Sequence, residues 1–302
     1  MLQGIFPPMA TPFRADGALD LHAFESNLEA YAAHDLGGYL VLGSNGENPY
    51  LEEDEKLKLV RAARKGAARK PLLVGTGLES TQATIAFTRK CAELGADAAL
   101  VLTPHYYKSQ MSVEALRRHF EAVAGASPVP VLLYSVPSFT GLTFPPGLAA
   151  ALAGHPRIAG IKESSGDLSL LGRIIAAVPS AFEVACGSAP VLYPALCIGA
   201  NAGIVAISCC APAAAVGLYR AFTQGDHARA RRLQDVLTPL GLAITVTYGV
   251  AGLKAAIDLA GLRGGHVRAP LLPLPEAARA EIASLLRRAE QIAQEVSSPA
   301  VS

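Results

Sequence analysis

The run IAGIKESS, residues 158–165, ends an otherwise apolar strand-like segment with a lysine, Lys162, followed by Glu163 and Ser164. A lysine held in apolar surroundings is costly in its charged form, and burial can lower its pKa from about 10.4 toward about 7–8. The neutral amine is a nucleophile that condenses with ketones to give an imine. An isolated strand-end lysine is more often structural, its stem lying on apolar surface and its head in water. Strand alternation decides what accompanies it. Positions 158, 160, 162 and 164 share one face, so Lys162 and Ser164 point together, Gly160 lies one layer below and leaves space, and Glu163 points away. Tyr134, at the end of VPVLLYSVP (129–137), can bring a phenol near the amine if its strand is adjacent, and a phenol can relay protons.

Two further segments offer polar groups at strand ends. GSNGE (43–47) brackets Ser44 and Asn45 with glycines, a turn able to turn backbone N–H groups and two polar side chains toward a carboxylate. TPHYYK (103–108) carries Tyr106 and Tyr107, which suit either a site or a subunit interface. The seven histidines form neither HxH nor HExxH, the cysteines form no CxxC, and no G-x-S-x-G elbow or P-loop is present. The sequence therefore predicts neither a metal nor a cofactor.

These residues need a scaffold that gathers strand ends. Eight strand-like runs occur at 4–9, 38–44, 72–77, 98–104, 129–137, 158–165, 182–188 and 202–209, most of them continuously apolar as parallel strands buried on both faces should be. Helical patterns separate them, with Asp20, Ser80 and Asp167 as candidate N-caps and apolar faces such as Leu21, Phe24, Leu28, Tyr31 and Leu168, Leu171, Ile175, Val178. This is the α/β pattern of a (β/α)8 TIM barrel over residues 1–225, in which side chains at the C-terminal strand ends do the chemistry. Residues 226–302 read as a C-terminal helical extension with a Gly/Pro-rich connector at 261–275, expected to cover apolar surface or build a subunit interface.

Composition agrees with a large core. Hydrophobic residues make up 51% and charged residues 17% of 302, net charge is +1, and mean hydropathy is +0.32. No basic stripe predicts nucleic-acid binding, and no run is long and apolar enough for a membrane span. The N-terminus lacks a secretory pattern, and five irregularly spaced cysteines predict reduced thiols in a cytoplasm, Cys209 and Cys210 serving as packing.

Taken together, PPMATPF (7–13), GSNGE (43–47), LTPHYY (102–107), LYSVPSFTG (133–141), IKESSGD (161–167) and GLRGGHVRAPL (261–271) resemble, in order and spacing, the pyruvate-dependent class I aldolase family that contains dihydrodipicolinate synthase and N-acetylneuraminate lyase. GSNGE, GLESTQAT (77–84), YSVP (134–137) and GLK (252–254) look most like 4-hydroxy-2-oxoglutarate aldolase. The resemblance implies that Lys162 forms a Schiff base, that Tyr134 relays protons, and that Ser44 and Asn45 hold the pyruvyl carboxylate. It also implies that Tyr106, with Tyr107 the one-residue alternative, is lent to a neighbouring subunit, that Ser164 lines the pocket, and that the assembly is a homotetramer, a dimer of dimers. The implied reaction is reversible cleavage of a 2-oxo acid, 4-hydroxy-2-oxoglutarate giving pyruvate and glyoxylate, with oxaloacetate decarboxylation, a hydratase-aldolase reaction, dihydrodipicolinate synthesis or 2-oxo acid binding without turnover as alternatives. One position departs. Dihydrodipicolinate synthases carry an arginine where this chain has Phe139, and hydroxyoxoglutarate aldolases a small polar residue, which opens the pocket to an apolar aldehyde.

Overall fold

The protein was analysed as a computed structural model, which describes residues 2–297. Eight short strands form one parallel sheet in the order β1-β8-β7-β6-β5-β4-β3-β2. They are β1 (Gly4–Phe6), β2 (Tyr39–Val41), β3 (Leu72–Gly75), β4 (Ala98–Leu102), β5 (Val131–Ser135), β6 (Ile158–Glu163), β7 (Glu183–Cys186) and β8 (Ala202–Ile204). The seam between β1 and β2 is closed just past β1, where Pro8 bridges Leu40 and the N–H of Met9 donates to the Leu40 carbonyl at 2.9 Å. The sheet is thus a (β/α)8 barrel. Every strand lies where the sequence pattern put it, but each is shorter at its C-terminal end. The apolar run continues past the last ladder bond because the chain stays buried as it leaves the sheet, at Leu42 and Gly43 before the 3-10 turn Ser44–Gly46 and through the 3-10 turn Ala206–Cys209.

The helices are α1 (Leu21–Ala32), α2 (Glu53–Ala67), α3 (Thr81–Glu93), α4 (Val113–Ala126), α5 (Pro137–Thr140), α6 (Pro146–Leu152), α7 (Leu168–Ala177), α8 (Leu192–Cys197), α9 (Pro212–Thr223), α10 (His227–Leu242), α11 (Gly249–Leu259) and α12 (Glu276–Ser297). The side chains of Asp20, Ser80 and Asp167 accept from the third residue of their helices, as expected of caps. The face that α7 buries is centred on Leu170, Leu171 and Ile174, one step round from the expected stripe; Leu168, Ile175 and Val178 form its half-buried margin. A five-residue π-turn, Ala243–Thr247, joins α10 to α11, so the helix read from about 240 to 259 is broken there. Residues 298–302 of the expected helical extension lie outside the described residues. Among the described residues, no helix is long and apolar enough to cross a membrane.

Two apolar layers result from the strand alternation. Phe6, Leu40, Leu73, Leu100, Leu132, Ala185 and Ala202 fill the barrel interior. The other strand faces pack against the helices. Cys209 and Cys210 are buried, and burial pushes both thiols up, Cys210 to about 12, which suits packing rather than reactivity.

Helix α4 carries one polar group into the outer layer. His119 is buried, its Nδ1 lies 2.9 Å from the Thr81 hydroxyl of α3, and its ring meets Phe120 edge-on. Burial pushes its imidazole down to about 4, with Glu79 pulling weakly the other way. The folded state therefore favours neutral His119 over the free value near 6.5. Stability from this group is complete above pH 6.5 and is lost as pH falls toward 4. The expected result in urea unfolding is that, between pH 7 and pH 5, the wild type loses about 2 kcal/mol more stability than His119→Leu. Equal losses would show that the ring is not desolvated.

Candidate functional site

At the C-terminal end of the barrel, β5 and β6 run side by side with Tyr134 opposite Lys162, and Ala185 of β7 flanks the lysine on its other side. The pleat turns Tyr134 and Lys162 to the same inner face. Lys162 is only 4% exposed, and its Nζ sits 4.4 Å from the centroid of the Tyr134 ring. Among the described residues no carboxylate lies within ion-pair distance of Nζ. Glu163 points outward as alternation requires, its Oε1 accepting from the Ser165 N–H at 2.9 Å and the Ser135 hydroxyl at 3.5 Å. Burial raises its pKa, and those donors pull it back.

The hydroxyls of Tyr134 and Ser44 lie 3.3 Å apart, so the GSNGE turn after β2 and the end of β5 meet across the barrel mouth, beside the lysine. Ser44, Asn45, Tyr134, Phe139, Lys162 and Ser164 all line one cavity of roughly 740 Å³. Six of the residues expected from sequence are thereby gathered. Ser164 Oγ is buried and has no hydrogen-bond partner among the described residues, which is unusual for a buried hydroxyl and suits a group that completes its bonding with a ligand. Phe139, on α5, is 60% exposed and forms part of the rim.

Tyr106 is not gathered with them. It is 75% exposed, stacks edge-on against Tyr107 at 5.0 Å, and lines no part of its own subunit's cavity. Its loop is held instead by Glu79, which accepts from the N–H groups of His105 and Tyr106 at 2.9 Å each.

One expectation is corrected. Gly160 does not make room for the lysine. A Cβ there would fall 2.2 Å from the Glu183 carbonyl oxygen, so its role is close approach of β6 to β7. Room for Lys162 comes from Gly187, where a Cβ would lie 1.8 Å from Ser164 Oγ and 3.0 Å from Lys162 Cε. Gly187 stands just after β7, and only the register of β7 on β6 identifies it.

The C-terminal region does more than cover the barrel. The π-turn and its flanks bring Leu242, Thr245, Val246 and Val250 to the cavity, and the connector adds Leu272. Widened turns of this kind re-aim side chains and recur at functional sites. Below the GSNGE turn lies a buried charge cluster that sequence reasoning did not single out. Lys254 of α11 forms an ion pair with Glu47 and donates to the His266 carbonyl. The Arg268 N–H donates to Glu47 Oε2 at 2.8 Å, while its guanidinium grips Glu55 of α2. Phe13 lies between the two cations, 4.4 Å from Lys254 Nζ and 4.1 Å from Arg268 Cζ. Burial lowers the Lys254 pKa, and Glu47 pulls it back up. The GLK and GLRGGHVRAPL motifs were the available signal.

Comparison with known proteins agrees with this geometry. The dihydrodipicolinate synthetase family model matches residues 1–289. A protein of Exiguobacterium sp. named 4-hydroxy-tetrahydrodipicolinate synthase is 35% identical over 295 residues, 97% of this chain and 100% of the relative. One of the same name from Exiguobacterium sibiricum is 38% identical over 288 residues, 95% of this chain and 98% of the relative. Among solved structures, the 4-hydroxy-tetrahydrodipicolinate synthase of Methylacidiphilum fumariolicum superposes with a TM-score of 0.92 at 28% identity, covering 98% of this chain and 99% of that one. A prophage protein of E. coli K12, in the dihydrodipicolinic acid synthase family and solved with pyruvate, superposes at 0.90 with 32% identity, covering 96% and 99%.

Because a Cβ at position 187 meets Ser164 and the lysine stem, Gly187→Ala is expected to displace the amine without unfolding the barrel. The rate of borohydride-trapped pyruvate addition should fall by about 100-fold, the usual cost of roughly an ångström of misplacement, with circular dichroism unchanged. A wild-type trapping rate would show that Gly187 does not set the lysine's position.

Proposed function

The chain belongs to the dihydrodipicolinate synthetase family and is a pyruvate-dependent carbon–carbon lyase of that family, and from that premise we propose that it works through a Schiff base on Lys162. The observation that carries the proposal is the buried Lys162 amine over the Tyr134 ring, with the Tyr134 hydroxyl in reach of Ser44. Ser44 and Asn45 hold the carboxylate of a 2-oxo acid. Unprotonated Lys162 Nζ attacks C2, and loss of water leaves a protonated imine. That cation draws electrons from the C3–C4 bond as the Tyr134 oxygen takes the proton of the C4 hydroxyl and passes its own on through the Ser44 hydroxyl 3.3 Å away, the relay later returning a proton to C3. The bond breaks to an aldehyde and a pyruvate enamine, C3 is protonated, and water hydrolyses the imine to release pyruvate and free lysine. The reverse sequence forms the bond. The exposed Tyr106 suits a role in a neighbouring subunit's site within a homotetramer, and the protein acts in the cytoplasm.

For the aldehyde, we read glyoxylate, released from 4-hydroxy-2-oxoglutarate. Apart from Lys162, the described cavity lining holds no cation, and Phe139 cannot pair with a carboxylate. A short second carboxylate can be met by the neutral hydroxyls of Ser138, Ser164 and Ser188. The second reading is condensation of pyruvate with an amino aldehyde that carries its own carboxylate, as the relatives' name implies for them. The family match and those names favour it; the missing cation opposes it.

Borohydride with pyruvate is expected to add one reduced pyruvyl group to Lys162, located by peptide mass, and none to Lys162→Ala. Tyr134→Phe should still bind pyruvate while cleaving at least about 100-fold more slowly, the scale of a lost general base. Unmodified Lys162 would overturn the Schiff base, and unchanged turnover would remove Tyr134 from it. A panel of 4-hydroxy-2-oxoglutarate, oxaloacetate and pyruvate with L-aspartate semialdehyde separates the readings, with fastest turnover expected on the first.

A further inference from the structure

Asn45 and Ser44 sit in a three-residue turn with little local structure of its own. The Gly46 N–H donates to the Gly43 carbonyl and the Glu47 N–H to the Ser44 carbonyl at 3.0 and 3.1 Å. Glu47 then leaves the turn in left-handed backbone, φ 53°, a conformation that a branched or bulky side chain resists. What fixes this shape comes from elsewhere in the chain. Thr11 donates its hydroxyl to the Gly46 carbonyl at 2.7 Å. The carboxylate of Glu47 is clamped between Lys254 of α11 and the Arg268 N–H of the connector. Lys254 and Glu47 are 1% and 2% exposed, so neither charge can be met by water.

We propose that Glu47 and Lys254 are positioning residues for 2-oxo acid binding. Their buried ion pair, anchored by Arg268 and Phe13, holds the Ser44–Asn45 turn in the shape that receives the carboxylate, and so makes the C-terminal helix α11 a remote part of the pyruvyl subsite. The inference rests on the reading that Ser44 and Asn45 bind that carboxylate.

The pair is well suited to such a role for a physical reason. Two opposite charges in a dry site attract strongly at short range and tolerate few alternative geometries. A turn tied to such a pair has one arrangement, whereas a turn held by solvated hydrogen bonds has several. A preorganised turn binds its anion without first being ordered, and loss of that order appears in the binding term. Neither Glu47 nor Lys254 lines the cavity, so neither residue is a catalytic group.

The test uses the full-length protein and avoids the choice of aldehyde. Trapping of pyruvate by cyanoborohydride is followed against pyruvate concentration, which gives a half-saturating concentration and a plateau rate. Lys254→Met leaves a buried carboxylate unpaired and can fail to fold, so the informative variant is Glu47→Gln/Lys254→Met, which removes both charges together. The expected result is a rise of at least about 10-fold in half-saturating pyruvate, the scale of a weakened hydrogen bond to a charged group, with a plateau rate within about 3-fold of wild type. Phe120→Leu, in the remote α4 core, supplies a protein destabilised without touching the turn, and its half-saturation should match wild type. Unchanged half-saturation in the double variant, a fall confined to the plateau rate, or an equal rise in Phe120→Leu would each overturn the proposal. Failure of wild-type protein to trap pyruvate would instead strike the Schiff-base reading beneath it.

Discussion

A single inward-facing lysine at the mouth of a closed barrel constrains most of what surrounds it. The pleat of β6 sends position 162 to the interior and position 163 outward, so amine and carboxylate on adjacent residues never meet. Under the Schiff-base proposal the amine needs a neighbour able to accept or supply protons, and the parallel register of β5 on β6 brings Tyr134 opposite it. It also needs volume, which the absent side chain of Gly187 provides. Each condition is met by a different strand, and only barrel closure makes all three hold at one point. The strong apolar packing of the interior layer below keeps those strand ends in register and keeps water from entering under the lysine.

Much of this was legible in the chain because the signals are local. Apolar runs, most of them continuous, marked the eight strands, and Asp20, Ser80 and Asp167 marked helix starts through a side-chain chemistry that acts over three residues. Alternation alone assigned Lys162 and Ser164 to one face. The errors arise where a longer-range contact decides. Gly160 looked like space for the lysine from its position on the same strand, but its environment is the backbone of β7. Gly187 lay outside any motif, since its importance depends on how β7 registers on β6. Strand lengths were overestimated because burial continues into the 3-10 turns after the strands, so hydropathy cannot see where the ladder stops.

The C-terminal region shows the same limit on a larger scale. Its helical periodicity was plain, yet its bearing on the site depends on residues more than two hundred positions away in sequence. Lys254 and Arg268 converge on Glu47, and Phe13 packs between them. A buried charge pair costs desolvation and repays it only where geometry is well fixed. Its presence beneath a cavity-lining turn rather than within the general core argues for specificity of shape over stability. The π-turn extends the argument, because it brings side chains of the same region to the cavity itself.

Two halves of the cavity therefore answer to different parts of the chain. In the proposed reading the pyruvyl half is built from strand ends and from a turn tied to a buried ion pair. The aldehyde half is built from α5, the π-turn and the connector, with Phe139, Val246 and Leu272 exposed by 60%, 74% and 80%. Exposed side chains on turns can be exchanged with little effect on the barrel, since no core packing depends on them. Under the Schiff-base proposal, that division suits a shared first half-reaction and a variable second one. Relatives at 35% and 38% identity that bear one name can share the proposed lysine chemistry with this protein while the rim sets which aldehyde fits. Phe139 places an apolar surface at that rim, so under the glyoxylate reading a short carboxylate is met by neutral hydroxyls deeper in the cavity, and a longer aldehyde that carries its charge out to the rim is left without a partner there.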